Sequence, residues 1–202
     1  MYKTFHTVAS IGLDDYIRNY RDAGKFIVYC RECNRYNTCW SCPPFDFSTD
    51  EYISSYRTAH IIATKIILDN ELIENNKSRE LCTKVSYDII EKVRFDLDRM
   101  LLKLEEQSPG SCAFFAGTCH ICPLEDCTRI KGKPCIAPEK MRSSLESFGF
   151  DISKTSLELL GIEMKWSIDG ILPEYFTLVS GLFTKDTKSL FVRDLEENLL
   201  CV

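Results

Sequence analysis

The chain has 202 residues, with 45% hydrophobic and 27% charged side chains and a formal net charge of −5. This length fits one domain with a sizeable core, and the composition excludes a disordered chain, a collagen and a coiled-coil rod. The acidic balance argues against a protein whose main partner is nucleic acid or an anionic membrane surface.

Apolar periodicity and the positions of glycine and proline predict a series of helices and strands. The predicted helices are residues 13–23, 48–58, 78–107, 142–148, 153–160 and 189–200. The predicted strands are residues 26–29, 60–68, 112–116, 163–168 and 174–183. The strand, long helix and strand between residues 60 and 116 predict a right-handed crossover in a parallel or mixed sheet. We therefore expect an α/β or α+β fold in one domain, residues 1–202, with a single mixed sheet and flanking helices that include one long helix.

No segment has the pattern of a targeting or membrane sequence. Residues 1–20 contain neither the apolar run of a secretory signal peptide nor a small-residue cleavage site. The longest apolar-rich run, residues 61–68, includes Lys65 and is far shorter than the ~18–20 residues that span a bilayer. We therefore expect a cytoplasmic protein without a membrane segment.

Cysteine is the residue type that departs from an ordinary composition. The chain has 11 cysteines, which in a reducing cytoplasm indicate metal ligands or reactive thiols rather than disulfides. Nine of them lie in two cysteine-rich loops, residues 30–45 and 112–138. These nine are Cys30, Cys33, Cys39, Cys42, Cys112, Cys119, Cys122, Cys127 and Cys135. Of the other two, Cys82 borders the apolar stripe of the long helix, where we expect a small buried side chain, and Cys201 lies near the C-terminus.

Three C-x2-C pairs recur in these loops, at positions 30/33, 39/42 and 119/122. Two thiolates at this spacing can reach one metal ion or one cluster, and the same spacing suits a redox dithiol. Zinc ribbons usually separate two such pairs by ~15–20 residues. Here the first loop has five residues between its pairs, and the second loop places four cysteines within residues 119–135. This compactness favours an iron–sulfur cluster, although it does not match the ferredoxin pattern.

Two motifs resemble those of a known family. C-x2-C-x2-Y and W-x-C-P-P-F lie between Cys30 and Phe45, and G-x-C-x2-C-x4-C-x7-C-x2-P runs from Gly117 to Pro138. Together they resemble a family of predicted metal-binding proteins, a domain of unknown function. The resemblance implies a cysteine-ligated metal centre of iron–sulfur type, and it brings no reaction with it. The matching positions are Cys30, Cys33, Cys42, Cys119, Cys122, Cys127 and Cys135.

Cys39 and Cys112 fall outside this family pattern. With Cys39, the first loop would hold a closed four-thiol site; without it, three thiols would leave an open coordination position, as in catalytic metal sites. We expect His120 to lie beside a site rather than to ligate. The basic stretch from Arg129 to Arg142 would offset the charge of a cluster, dock an acidic redox partner or form a solvated loop.

The leading hypothesis is a protein with one or two 4Fe–4S clusters that transfers electrons or serves as an accessory module for a redox partner protein. The expected ligands are Cys119, Cys122, Cys127 and Cys135 at the first site, and Cys30, Cys33 and Cys42, with or without Cys39, at the second. One alternative is a protein-interaction module with structural four-cysteine zinc sites. Another is a metal-free thiol–disulfide enzyme, which is disfavoured because Pro43 and Pro44 make the 39/42 pair a poor helix start.

Overall fold

The computed structural model describes residues 1–185, and these contain one four-stranded sheet. The strands, in the spatial order β1-β2-β4-β3, are β1 (Tyr2–Gly12), β2 (Thr58–Leu68), β3 (Cys112–Phe114) and β4 (Tyr175–Thr184). Every neighbouring pair among them is antiparallel: Tyr2 faces Leu68, Thr58 faces Thr184, and Cys112 faces Phe183. The predicted single sheet is confirmed, but its strand pairs are antiparallel where a mixed sheet was expected.

Six α-helices lie within the described residues. They are α1 (Leu13–Tyr20), α2 (Ala23–Arg31), α3 (Thr49–Ile53), α4 (Asn70–Asn75), α5 (Arg79–Gln107) and α6 (Ile152–Leu160). Three short 3-10 helices cover Leu124–Asp126, Thr128–Lys131 and Glu146–Phe148. The predicted long helix is confirmed as α5, and Ser78 caps it by accepting a hydrogen bond from the N–H of Leu81.

The predicted unit of strand, long helix and strand is present in an interrupted form. Strands β2 and β3 are both antiparallel to β4, so they run parallel to each other. Helix α5 lies in the connection between them, but β4 occupies the position between the two strands. Because β4 comes later in the chain, the local pattern from residue 60 to residue 116 carries no sign of this insertion.

The sheet separates two apolar cores. Successive side chains of a strand point to opposite faces, and on β2 Ile62 and Ile66 pack with α5, whereas Ile61 and Ala63 pack with α1 and α6. The ring of Tyr16 on α1 stacks on Phe150 at 4.5 Å in the second core. In the part of the chain that the structure describes, no helix combines the length and the apolar character needed to cross a membrane.

Two predictions near the N-terminus are wrong. Residues 26–29 form part of α2 rather than a strand, because the Asp22 carboxylate caps this helix by accepting the N–H of Lys25 at 2.9 Å. The helix predicted over residues 13–23 ends at Tyr20, where the chain becomes extended at Arg21. The segments predicted as one helix and one strand therefore form two short helices, α1 and α2.

Four further predictions differ from the structure or lie beyond it. Residues 163–168 form a loop rather than a strand because their apolar side chains Trp166 and Ile168 are exposed and join neither core. The helix predicted over residues 48–58 is confined to α3, and that over 142–148 to the 3-10 helix Glu146–Phe148. The helix predicted over 189–200 lies outside the described residues. Strand β1 was not predicted, although its residues alternate between half-buried and exposed.

The fold brings the two cysteine-rich loops together beside the 3-10 helix Glu146–Phe148. The first loop follows α2, and this helix packs against the 3-10 helix at Gly149. Gly149 has φ +87°, and a Cβ atom there would lie 2.6 Å from the Cα of Ala23. Only glycine therefore permits this approach of the backbones.

Replacing Gly149 with alanine is expected to lower the free energy of unfolding by at least about 3 kcal/mol, since a positive φ costs roughly 1–3 kcal/mol and the collision adds to it. Gly161 is the matched control, because its φ is +67° and a Cβ there would meet nothing within 4 Å. G161A should cost about 1 kcal/mol. Urea unfolding followed by circular dichroism measures both variants, and equal losses would contradict the close packing at Gly149.

Candidate metal centre

The first cysteine-rich loop leaves the C-terminal end of α2. Cys30 lies in the last turn of this helix, and the N–H of Cys33 donates to the Cys30 carbonyl at 3.1 Å. The sulfur of Cys33 accepts the N–H of Arg35 at 3.5 Å. Burial raises the pKa of the Cys30 thiol, and the nearby Cys33 raises it further. The loop therefore places these two thiols side by side at a partly buried turn.

The second loop begins where β3 ends and is anchored from behind by the long helix. Gly117 has φ +86°, and the guanidinium of Arg94 on α5 packs under it and donates to the carbonyl of Thr118. The two 3-10 helices Leu124–Asp126 and Thr128–Lys131 then turn the chain, and Gly132 ends the second of them in the left-handed region. These turns return the chain so that Cys135 faces the earlier cysteines.

Five thiols share one small cavity, which we call the five-cysteine site. Its cavity of about 20 Å³ is lined by Cys39, Cys119, Cys122, Cys127 and Cys135. The other residues around it are Trp40, Ile121, Ile136, Ala137 and Met141. All four cysteines expected at the first site thus meet in space, and Cys39 from the other loop joins them.

Cys30, Cys33 and Cys42 line a second cavity of about 180 Å³, which we call the three-cysteine site. Its wall is more polar than that of the five-cysteine site and includes Thr118 and Glu146. Cys39 does not line this cavity. The structure therefore groups the thiols of the first loop as three plus one, the arrangement that leaves an open position.

The two sites touch through Cys39 and Cys42. A hydrogen bond from Cys42 lowers the pKa of the Cys39 thiol to about 5, and the same contact raises that of Cys42. Ser41 lies between them: its hydroxyl is 3.2 Å from the sulfur of Cys39 and accepts the N–H of Cys119 at 3.1 Å. One serine thus connects both loops and both sites.

Burial disfavours the thiolate forms of Cys119 and Cys122. It raises the pKa of Cys119 to about 12 and also raises that of Cys122, with neighbouring thiols adding to the effect. A cation between them would favour the thiolate forms, so metal binding at this site would release protons.

Arg129 fastens the two loops together. Its guanidinium donates to the carbonyls of Cys39 at 2.9 Å, Cys42 at 2.6 Å and Pro44, and it lies 5.1 Å from the centre of the Trp40 ring. Of the basic stretch, Arg129 is therefore an internal clamp rather than a solvated side chain.

Two other members of the basic stretch have different surroundings. Arg142 forms an ion pair with Glu105, with its Nε 2.8 Å from the Oε2 atom. The side chain of Lys133 is exposed, while its carbonyl accepts a hydrogen bond from the Trp40 indole at 3.1 Å. Charge compensation and partner docking by this stretch stay predictions.

A cluster of charged side chains on α5 lies behind the second loop and includes His120 from that loop. The Nε2 atom of His120 is 3.3 Å from the carboxylate of Asp98, and burial raises the pKa of that carboxyl to about 8. Arg94 pairs with Glu91 at 2.5 Å. His120 does not line either thiol cavity, and its place beside a site rather than among the ligands stays a prediction.

Sequence reasoning missed Arg94, Asp98, Ser41 and Glu146. The first two had a signal: both border the apolar stripe of the long helix, four residues apart, where a charged side chain needs a partner. Glu146 lies in a Ser143-x-x-Glu146 pattern, which is also typical of a helix cap, and the Ser41 hydroxyl had no pattern around it.

The remaining described cysteines are structural. Cys82 is buried in the core under α5, as predicted, and Cys112 is buried on β3 with its sulfur 3.3 Å from the hydroxyl of Tyr52. Neither lines a thiol cavity. A larger groove of about 670 Å³ lies between β1 and α5, and no cysteine lines it.

The cysteines of the two cavities have the chemistry of ligands for a thiolate-bound metal, but their sulfur atoms are not yet close enough to form a ligand set. Within residues 1–185, no group of three or more histidine, cysteine, aspartate or glutamate side chains forms a ready ligand set. A cavity of about 20 Å³ holds about one water-sized sphere. Binding an ion requires the thiols to rotate inward, and binding a cluster also requires the apolar wall to move outward.

The fold and its two groups of converging thiols define a cysteine-rich protein suited to metal binding. The model of domain of unknown function 2284 (DUF2284), described as a predicted metal-binding protein, matches residues 17–183, and the chain belongs to this family. The resemblance seen in the two motifs is thereby confirmed. No curated protein and no solved structure matches the chain.

If Arg129 holds the loops in register, R129K should release bound metal at least about tenfold faster, because one ammonium group cannot reach the acceptors that a planar guanidinium serves. The rate of metal transfer to a coloured chelator measures this. K131A, on the exposed side of the same 3-10 helix, is the control and should behave like the wild type. Equal release rates in all three proteins would show that the clamp has no part in metal retention.

Proposed function

We propose that this protein carries one 4Fe–4S cluster at the five-cysteine site and acts in electron transfer or as an accessory redox module. The observation that carries the proposal is the meeting of five thiols from two distant loops around one cavity with an apolar wall. A thiolate set of this kind, shielded from water, is typical of iron–sulfur centres. The chain's membership of a predicted metal-binding family supports the coarser part of the proposal.

The arrangement of the thiols favours a cluster over a single ion. A structural zinc and a 4Fe–4S cluster each take four ligands, but four of the five cysteines that line this cavity come from one short wrapping segment, which is typical of clusters. Backbone N–H groups already point at two of the sulfurs: that of Ser41 at Cys39 and that of Ile121 at Cys119. Such hydrogen bonds stabilise thiolates and tune the potential of a cluster.

The position of the cavity suits electron exchange with a partner protein. Ile121 and Ile136 both line the cavity, and their side chains are 37% and 68% exposed. A cluster there would lie one side chain from the surface. Lys131 and Lys133 are exposed on the second loop, and Lys140 is exposed just beyond it, in an otherwise acidic chain, which favours a partner with an acidic surface.

One observation favours zinc as the second candidate. The cavity of about 20 Å³ holds about one water-sized sphere, so binding a single zinc ion would move the loops less than binding a cubane. In that case the protein would be an interaction module whose loops are fastened by metal.

The thiol–disulfide alternative gains little from the structure. Cys30 lies at the C-terminal end of α2, where the helix dipole disfavours a thiolate, and burial raises its pKa further. Cys39 has a lowered pKa, but its sulfur faces four other thiols rather than an open surface. Reduction of insulin by the metal-free protein would revive this alternative.

The cluster is tested by anaerobic purification, absorption spectroscopy and analysis of iron, sulfide and zinc in one sample. We expect broad absorption near 400 nm with about four irons and four sulfides per chain. The double variant C119S/C135S should lose most of the iron because it leaves only three thiols at the five-cysteine site. C82A is the matched control and should keep its iron, since Cys82 is buried in the core under α5 and lines neither thiol cavity.

A colourless wild-type protein with zinc and no sulfide, which also fails to take up iron and sulfide anaerobically, would sink the cluster proposal in favour of the zinc module. Full iron retention in C119S/C135S would place any cluster elsewhere in the chain, because only three thiols then remain at the five-cysteine site. Circular dichroism of each variant shows whether it has folded, so that loss of iron and loss of structure are not confused.

A further inference from the structure

Glu146 is a buried carboxylate with an unpaired oxygen. Its Oε2 atom is inaccessible to water and has no hydrogen-bond partner within the described residues. Burial raises the pKa of this carboxyl, whereas the backbone N–H of Glu146, the hydroxyl of Ser144 and the guanidinium of Arg94 act in the opposite direction. A buried charge or polar atom without a partner is costly, so such a group calls for an explanation.

The surroundings of Glu146 offer an explanation for its unpaired oxygen. Glu146 lines the 180 Å³ cavity together with Cys30, Cys33 and Cys42. The carboxylate is close enough to Cys30 to raise the pKa of that thiol. Three cysteines and one glutamate thus border the same space, and a cation would have to draw their side chains inward, since no such group within residues 1–185 forms a ready ligand set.

The 3-10 helix Glu146–Phe148 fixes the carboxylate in this position. Gly149, directly after it, packs against the first residue of α2, and Cys30 lies in the last turn of α2. The N–H of Asp22 donates to the Gly149 carbonyl at 2.8 Å. Glu146 and Cys30 are therefore held by two elements in direct contact.

We propose that Cys30, Cys33, Cys42 and Glu146 form a second metal site, separate from the five-cysteine site, which binds one divalent cation of the zinc class through three thiolates and the Glu146 Oε2 atom. This proposal rests on metal binding by the cysteine loops and adds the fourth ligand and the kind of ion. Three thiolates leave one position of a tetrahedral zinc, and a carboxylate is an accepted ligand there. The ion would also satisfy the unpaired oxygen.

The fourth position is the exchangeable one. Glu146 and Cys30 also border a groove of about 450 Å³, whose wall includes Ile27, Pro44 and Phe47. A small molecule in this groove would reach the ion on the side of the carboxylate. An oxygen ligand gives way more readily than a thiolate to such a molecule, since the softer sulfur donors bind zinc more strongly.

Zinc K-edge absorption spectroscopy tests the site, because it reports only on zinc and ignores iron. The anaerobically purified protein with its native metal content receives one equivalent of Zn²⁺, and its affinity is measured by competition with a chelator. We expect three sulfurs at about 2.3 Å and one oxygen at about 2.0–2.2 Å. E146Q should bind zinc at least about tenfold more weakly, because a neutral amide replaces the anionic ligand.

E32Q is the matched control, since Glu32 is an exposed carboxylate one residue from Cys33 and does not line the cavity. It should bind zinc as the wild type does. C30S should lose this zinc and keep the iron of the five-cysteine site. Circular dichroism and iron content show whether each variant has folded around its other metal.

Four sulfurs around the zinc, or an unchanged affinity in E146Q, would overturn the proposal. A wild-type content of about eight irons would do the same, since a second cluster would then occupy the three-cysteine site. Absence of iron and sulfide would refute the cluster alone. In that case the experiment is repeated in the C119S/C135S background, where the five-cysteine site keeps too few thiols for a closed zinc site and the effect of E146Q is still measured.

Discussion

The guanidinium of Arg129 holds together two loops that lie about 90 residues apart in the chain. Its donors reach carbonyls on both sides of Trp40, so the first loop is fixed by its backbone rather than by its side chains. The Trp40 indole returns a hydrogen bond to the carbonyl of Lys133. Together with the hydrogen bond between Ser41 and Cys119, these contacts offset the entropy of loop closure that segments far apart in sequence lose before any metal can bind.

The sheet and the long helix were largely predictable because their signals are local and repeated. Helix α5 has an apolar stripe and a serine cap, and β2 and β4 are continuous apolar runs. The apolar pattern was misleading where a segment buries little of its surface against the rest of the protein. Residues 26–29 are apolar enough for a strand, yet the Asp22 cap starts a helix whose side chains Val28 and Tyr29 are more than half exposed.

The thiol positions could be predicted from spacing, but their partners could not. Cys39 and Cys42 are separated by two residues, and spacing alone places them on one site. In the structure the turn through Trp40 and Ser41 directs them to two different cavities. Glu146 illustrates the same limit, since its four-residue pattern with Ser143 is also that of a helix cap. What a polar side chain faces depends on tertiary contacts that no local pattern contains.

The two cavities differ in a way that bears on what each can do. The five-cysteine site is bordered by apolar side chains such as Met141 and Ile136, so a metal there would be coordinated by sulfur alone and shielded from water. The three-cysteine site is bordered by hydroxyl groups and by Glu146, next to a groove of about 450 Å³. A metal in the first cavity would need no ligand besides the thiolates, whereas a metal in the second would take its fourth ligand from Glu146, which also borders the groove. Because Cys39 and Cys42 are in contact, a change of charge at either cavity acts directly on a thiol of the other.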